Sequence, residues 1–443
     1  MKINKSRYIA LAFSLVAIFL LEACSKTEFL PDPEGAKIPF QSDATQTVEE
    51  LLAASPAKLF YSAWQKSNIK DVLNASTGKQ IYTVFVPNDA AMQAAGLGAS
   101  QISQKPVAEL ADLMKFYITL GPVVPEALKN RTDNFMAKSM LVNPQLFLPF
   151  YEGGLNNGQR ADPYQYRNYM SVREEQLLVN GKTMGRLNYL PATNGGIYIM
   201  EKTVEIPTKT ILEALEADDR FSMFLAAQRM GDELFINRLI ENMEPLFGYT
   251  PEPEEVAEYA YERNFYKNKW TINENAYGGP NITISTLFAP TNEAFHKAGF
   301  MTVADIVSYN ERSLENIYFD ENLFTVVGGF PLDTIFNFHR DFGRILRPAA
   351  IGGDKAVDNA TVFYSNALNA SLNEYLVSAG GNPTIEYAFK MPLDFSRNGN
   401  AVQLKVKGSE HPAANVIDTD INTLNGPIHV VDHLLLPKGF KLK

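Results

Sequence analysis

All five histidines of the chain, His296, His339, His411, His429 and His433, fall in its second half, and such clustering raises the question of a metal site first. On a helix, His429 and His433 would share a face. The flanking Ile428, Val430, Val431, Leu434 and Leu435 favour a strand instead, where positions four apart lie about 13 Å from each other. That separation argues against ligation by the pair, so no metal and no cofactor is expected. Nucleophile chemistry fares no better. The sequence has no Gly-x-Ser-x-Gly elbow, no phosphate-cradling glycine loop and no His-Glu-x-x-His. A glycosidase-like carboxylate pair assembles only in the fold, which keeps an envelope hydrolase as the third-ranked alternative. The run Glu252, Glu254, Glu255, Glu258 and Glu262 lacks the Asp/Asn/Gly alternation of a calcium loop and reads as the solvated face of an inserted helix. The expectation is a protein that is not an enzyme.

Recognition rather than turnover is where the residue types point. Phe147, Phe150, Tyr151, Tyr164, Tyr166 and Tyr169 are interleaved with Gly153, Gly154, Asn156, Asn157, Gln159 and Arg160. Flat apolar rings beside hydrogen-bonding amides suit a sugar ring or a partner protein. Tyr249, Tyr259, Tyr261, Phe265, Tyr266, Trp270 and Tyr277 form a second such cluster. Tyr151, Tyr164, Tyr166, Tyr169 and Trp270 are the candidate ligand-binding residues, and the competing reading is that these rings pack each insertion onto its own domain.

Cys24 is the single cysteine, so no intramolecular disulfide forms. Lys2, Lys5 and Arg7 precede an apolar run from Tyr8 to Leu21, then Glu22, Ala23, Cys24 and Ser25, the order of an export signal. The run is about 14 residues, short of the roughly 20 a spanning helix needs. Leu21-Glu22-Ala23-Cys24 resembles the lipobox of bacterial lipoproteins, with Glu22 departing from the usual small or apolar residue. The thiol would carry a diacylglycerol and the new amino terminus an acyl chain, and such multiple chains anchor stably.

The chain carries a net charge of −10, and −12 once Lys2, Lys5, Arg7 and Glu22 leave with the signal. An acidic surface repels phosphate backbones, which excludes nucleic acid as an expected partner. With 46% hydrophobic and 11% aromatic residues, the chain has material for packed cores. Residues 24–44, with Pro31, Pro33, Gly35 and Pro39, read as a tether.

What must position these residues is a duplicated scaffold. Thr83-Val-Phe-Val-Pro-Asn-Asp-Ala-Ala-Met92 matches Thr286-Leu-Phe-Ala-Pro-Thr-Asn-Glu-Ala-Phe295, and Asn194-Gly-Gly-Ile-Tyr-Ile-Met-Glu201 matches Asn425-Gly-Pro-Ile-His-Val-Val-Asp432. The first motif reads as a strand that a proline ends, followed by a capped helix. The second is a turn that launches a strand. Each copy opens with a helical stretch: Val48, Leu51, Leu52 and Phe60, then Ile211, Leu212, Leu215, Phe221 and Phe224.

The paired motifs resemble those of fasciclin-like domains. The second copy is the stronger match, with Phe338-His339 where the family usually has Tyr-His. In the first, Phe116-Tyr117 lacks that histidine, and Tyr198 and Glu201 replace His and Asp. The resemblance implies an α+β fold of two tandem domains, each a wedge-shaped β-sandwich flanked by helices, with His339 and His429 in or near the packed interior and no catalytic centre. The expected organisation is a signal at 1–23, a tether at 24–44, domain 1 at 45–207 and domain 2 at 208–443 with an insertion at about 231–281. The function it implies is a non-catalytic adhesion or binding lipoprotein of the outer membrane, lipid-anchored through Cys24 and surface-exposed. Its partners would be an extracellular protein or glycan. The alternative is a glycan-binding accessory of a SusC/SusD-type outer-membrane complex, as in Bacteroidota.

Overall fold

Thr47 and Thr210 open equivalent helices, α1 (Val48–Ala54) and, in the second repeat, α5 (Ile211–Glu216). Each hydroxyl accepts the backbone N–H three residues on, while Glu50 or Glu213 reaches back to the threonine N–H, a reciprocal capping box. The computed structural model describes residues 43–441 apart from 76–79, 130, 132, 149–161, 261–269, 273–279, 281, 341–343, 346–361 and 379–387. Residues 1–42, which include Cys24, the expected export signal and most of the expected tether, lie outside the described residues.

In the first repeat α1 and α2 (Lys58–Lys66) lead to strand β1 (Tyr82–Pro87), which Pro87 ends, and α3 (Asp89–Ala94) follows, capped by the Asn88 side chain. Then come α4 (Val107–Phe116), β2 (Ile118–Leu120), the long hairpin β3 (Phe135–Leu148) and β4 (Asp162–Arg173), β5 (Gln176–Val179), β6 (Lys182–Arg186), β7 (Tyr189–Ala192) and β8 (Gly195–Met200). The strand order is β6-β5-β4-β3-β2-β1-β8-β7. A single pairing, Thr119 with Ser139, joins its two four-stranded halves. Their inner faces enclose Val84, Val86, Phe116, Ile118, Met170, Val179 and Ile197 with Phe60 and Trp64 from α2.

The second repeat rebuilds this plan. After α5 the 26-residue α6 (Ser222–Phe247) ends on Gly248, and α7 (Pro253–Tyr259) packs beside it. Strand β9 (Leu287–Pro290) and α8 (Asn292–Lys297), capped by the Thr291 hydroxyl, repeat β1 and α3. Hairpin β10 (Tyr318–Asp320) and β11 (Thr325–Val327) and helix α9 (Pro331–Arg340) precede a three-stranded sheet of β12 (Arg344–Ile345), β13 (Leu376–Ser378) and β14 (Ala388–Lys390). The closing sheet runs β15 (Leu393–Asn398), β16 (Ala401–Val406), β17 (Ala414–Thr423), β18 (Gly426–Val431) and β9.

In both repeats the last strand returns to pair in parallel with the first, Thr83 opposite Gly196 and Leu287 opposite Ile428. The turn before that strand also holds the opening helix. Asn194 Oδ1 accepts the Val48 N–H at 2.9 Å, and Asn425 Oδ1 accepts the Ile211 N–H at 2.8 Å. The glycine that follows is dictated by geometry. Gly195 (φ +139°) and Gly426 (φ +121°) sit where an added Cβ would overlap the carbonyl oxygen of Tyr82 or Ser285. Residues Ser42–Lys443 form one compact unit.

Candidate functional site

The side chains with the most chemistry, buried histidines and tyrosines, are spent on a clamp that both repeats share. Behind β1, Thr83 Oγ1 accepts the Val123 N–H at 2.9 Å, and the Tyr198 hydroxyl donates to the Val123 carbonyl at 2.9 Å. Behind β9, Thr286 Oγ1 accepts the Phe363 N–H at 2.8 Å, and His429 Nε2 donates to the Phe363 carbonyl at 2.8 Å. One residue of a crossing segment is thus gripped at both of its backbone groups. The ring of Tyr198 stacks on Phe85 and that of His429 on Phe288, with centroids 5.4 Å apart in each pair.

A second polar ring fastens the segment after the closing strand. The Tyr117 hydroxyl donates to the Val204 carbonyl and accepts the Val204 N–H, both at 3.0 Å. In the second repeat His339 Nδ1 donates to the Phe288 carbonyl at 2.7 Å, and Nε2 accepts the Leu435 N–H at 2.9 Å. With both ring nitrogens committed to backbone, His339 and His429 are neutral imidazoles. Burial pushes His339 down to about 4, partly countered by its bond to Phe288, and burial lowers His429 as well. Both are fully enclosed, as are Tyr117 and Tyr198. Neither histidine is presented to a substrate or a metal.

The remaining histidines stand nearer the surface. His411 Nε2 donates to the Phe440 carbonyl, and His433 Nδ1 lies 2.8 Å from Asp432 Oδ1. They line a cavity of about 220 Å³ with Lys297 and Leu436. Burial alone would raise the Asp432 carboxyl, but hydrogen bonds from Asn415 and His433 outweigh it and hold the group at about 2. Among the described residues no three His, Cys, Asp or Glu side chains come together as a metal site, and no helix is long and apolar enough to cross a membrane.

The aromatic candidates require correction. Tyr164 is 3% exposed, and its hydroxyl donates to the Leu424 carbonyl of the other repeat at 2.7 Å. Trp270 is fully buried against Phe224, with Arg340 over its indole. Neither offers a face to a ligand. Tyr166 and Tyr169 are half-buried and lean on Phe116 and Tyr364. Tyr151 lies outside the described residues, as do Phe150, Tyr261, Phe265, Tyr266 and Tyr277.

What the first cluster does instead is dock the repeats. Leu146 and Tyr164 join Ile282, Ile284, Val362, Tyr364 and Leu424 in one apolar cluster. Phe147 exchanges backbone bonds with the Pro280–Ile282 stretch, donating to the Pro280 carbonyl at 2.9 Å and accepting the Ile282 N–H at 3.1 Å. Beside it, Asn366 Nδ2 donates to Asn134 Oδ1 and Ser171 Oγ at 2.6 and 2.8 Å. Burying this many rings and amides against the neighbouring repeat leaves them unavailable for recognition.

The model of the fasciclin domain matches residues 55–207. That stretch is a fasciclin domain. The second repeat carries the same capping boxes, parallel closure, Asn–Gly turn and threonine clamp, so the chain holds tandem fasciclin-like domains of α+β class. A solved FAS1 domain pair from the insect cell adhesion molecule fasciclin I aligns over 87% of this chain and 98% of its own, at 12% identity and a TM-score of 0.28. No curated protein matches the chain.

The surface that the sequence reading passed over is the tip of the β10–β11 hairpin, where Leu323 and Phe324 stand exposed. Its signal was present: two short apolar runs, Tyr318-Phe319 and Thr325-Val326-Val327, flank a polar Asp320-Glu321-Asn322 turn.

Proposed function

We propose that the protein is a lipid-anchored adhesion module of the bacterial outer membrane, facing outward and holding an extracellular protein or glycan without transforming it. The observation that carries this reading is the fasciclin domain at residues 55–207, repeated in construction by the second half of the chain. The clamp chemistry supports it. Imidazoles and phenols that a hydrolase would expose as acids and bases are buried and bonded to backbone, which stiffens a scaffold and leaves surface contacts to do the recognising. The lipobox-like Leu21-Glu22-Ala23-Cys24 supports the anchor.

Cells producing the wild-type chain are expected to incorporate labelled palmitate into it, to keep it in the membrane fraction and to adhere to a protein- or glycan-coated surface. Cys24→Ser should abolish all three. Continued acylation and sedimentation of the variant would remove the lipoprotein reading. Release of product from glycans or peptides by the purified chain would replace adhesion by hydrolysis.

A further inference from the structure

Eleven large apolar side chains are exposed among the described residues, and five of them, Leu246, Tyr249, Tyr318, Leu323 and Phe324, belong to the elements around the second repeat's insertion. The other six are spread over the rest of the chain. Beneath the five lies a small core of their own: Phe235, Leu239, Met243, Val256, Ile317, Phe319 and Phe330 are buried together, drawn from α6, α7 and the hairpin with the residues that flank it. The rings form a continuous path across this platform, Tyr249 stacking on Phe247, Phe247 and Tyr259 each meeting Phe319, and Tyr259 meeting Phe324. The tip is held outward. Asp320 Oδ1 accepts the N–H groups of Asn322 and Leu323, and Phe324 takes a left-handed backbone conformation (φ +52°) and is 60% exposed.

Among the described residues, the segments that carry this apolar surface hold acidic side chains and no basic ones. The segment 241–260 carries Glu241, Glu244, Glu252, Glu254, Glu255 and Glu258 with no lysine or arginine, and the segment 313–330 carries Glu315, Asp320 and Glu321 with none either. Arg238, the cation that reaches the platform from α6, is committed to the Leu314 and Ile317 carbonyls and to Glu241. At the foot of the hairpin Arg312 lies over the Tyr309 ring. Apolar anchors rimmed by an excess of carboxylates repel acidic partners and attract basic ones, and exposed aromatic faces add cation–π attraction for lysine and arginine.

We propose that this platform, with Leu323 and Phe324 as its anchors, docks a basic segment of a partner protein, one that alternates lysine or arginine with apolar side chains. The inference rests on the adhesion reading and names the partner's chemistry. The contiguous aromatic cluster supplies the central contacts of such an interface, and the glutamates supply its polar rim.

The test uses the detergent-solubilised full chain and three fluorescein-labelled peptides of equal length, in which lysine, serine or glutamate alternates with leucine and phenylalanine. Fluorescence anisotropy is expected to show the lysine peptide binding at least ten-fold more tightly than the serine peptide, and the glutamate peptide not binding. The double variant Leu323→Ser, Phe324→Ser should lose at least ten-fold in affinity with an unchanged circular dichroism spectrum, because both side chains are exposed. A triple reversal, Glu254→Lys, Glu255→Lys and Glu321→Lys, should shift the preference to the glutamate peptide. Equal binding of all three peptides, full affinity in the double variant, or an unmoved preference after reversal each overturns the proposal. Cells bearing the double variant that still adhere overturn the docking platform while leaving the adhesion reading standing, whereas loss of adhesion only with Cys24→Ser assigns the contact elsewhere on the chain.

Discussion

The two repeats solve one packing problem with different chemistry. In the first, Tyr117 and Tyr198 bridge the crossing and closing segments. In the second, His339 and His429 occupy the equivalent places and satisfy the same kinds of backbone group at similar distances. A phenol and an imidazole are interchangeable here because each is a flat ring carrying polar atoms at its rim, so each can stack on a phenylalanine and reach a backbone partner. What the exchange alters is titration. Burial raises both phenols, moving them away from neutral pH, whereas it lowers both imidazoles from a range that acid reaches readily.

The stacking partner gives the largest expected effect. Phe85 and Phe288 are both buried under the clamp ring, so replacing either by alanine should cost about 3–5 kcal/mol through lost transfer energy and the cavity left behind. Urea unfolding would measure it. Costs that differ widely between the two variants would break the equivalence of the repeats, and a change below roughly 1 kcal/mol would remove these rings from the core.

Acid should separate what the phenylalanines share. An unfolded imidazole titrates near 6.5, and folded His339 near about 4. Between those values the unfolded chain binds a proton that the native ring rejects, so the contribution is complete above the unfolded value and is lost as pH falls through the window. Going from pH 7 to pH 5 should cost the second repeat on the order of 2 kcal/mol from His339, with His429 adding in the same direction. The first repeat should be spared. Each repeat holds one of the two tryptophans, Trp64 and Trp270, both buried, so Trp64→Phe and Trp270→Phe yield variants that report on one repeat each. Transition midpoints in urea that fall equally for both reporters would refute the assignment. His339→Tyr should reduce the acid loss if the phenol is accepted as its counterpart is.

The smallest effect tests the symmetry of the helix starts. Thr47→Ala and Thr210→Ala each remove one capping box of the same geometry and should each cost about 1 kcal/mol. A negligible cost at one position and a full one at the other would show that the two openings are held differently.

The scaffold was legible in the sequence because its features are local and repeated. Strand, proline and cap sit within ten residues of Thr83 and Thr286, and the Asn–Gly turns announce the closing strands. The histidine interior was implied by the family resemblance, but the tyrosine substitution was visible only as missing histidines. Their shared duty depends on Val123 and Phe363, which no local spacing connects to Tyr198 and His429. The aromatic clusters misled for a related reason. Rings mixed with amides describe a docking face and a binding face equally well, and burial decides between them only after Leu424 and Tyr364 arrive from the other repeat to cover Tyr164 and Tyr169. Trp270 failed similarly, since its partners Phe224 and Arg340 are distant in sequence.

The bond from the opening helix to the closing turn spans 146 residues in the first repeat and 214 in the second. A chain delivered N-terminus first therefore emerges with β1 lacking its parallel neighbour and α1 lacking the asparagine that ends its search. Neither core can be completed until nearly the whole repeat has been delivered, and contacts of such long range fold slowly. The same feature defers folding while the chain is being delivered and exposes an unpaired strand edge until the last turn emerges, so the half-delivered repeat, rather than the finished one, is the species that holdase chaperones would need to protect.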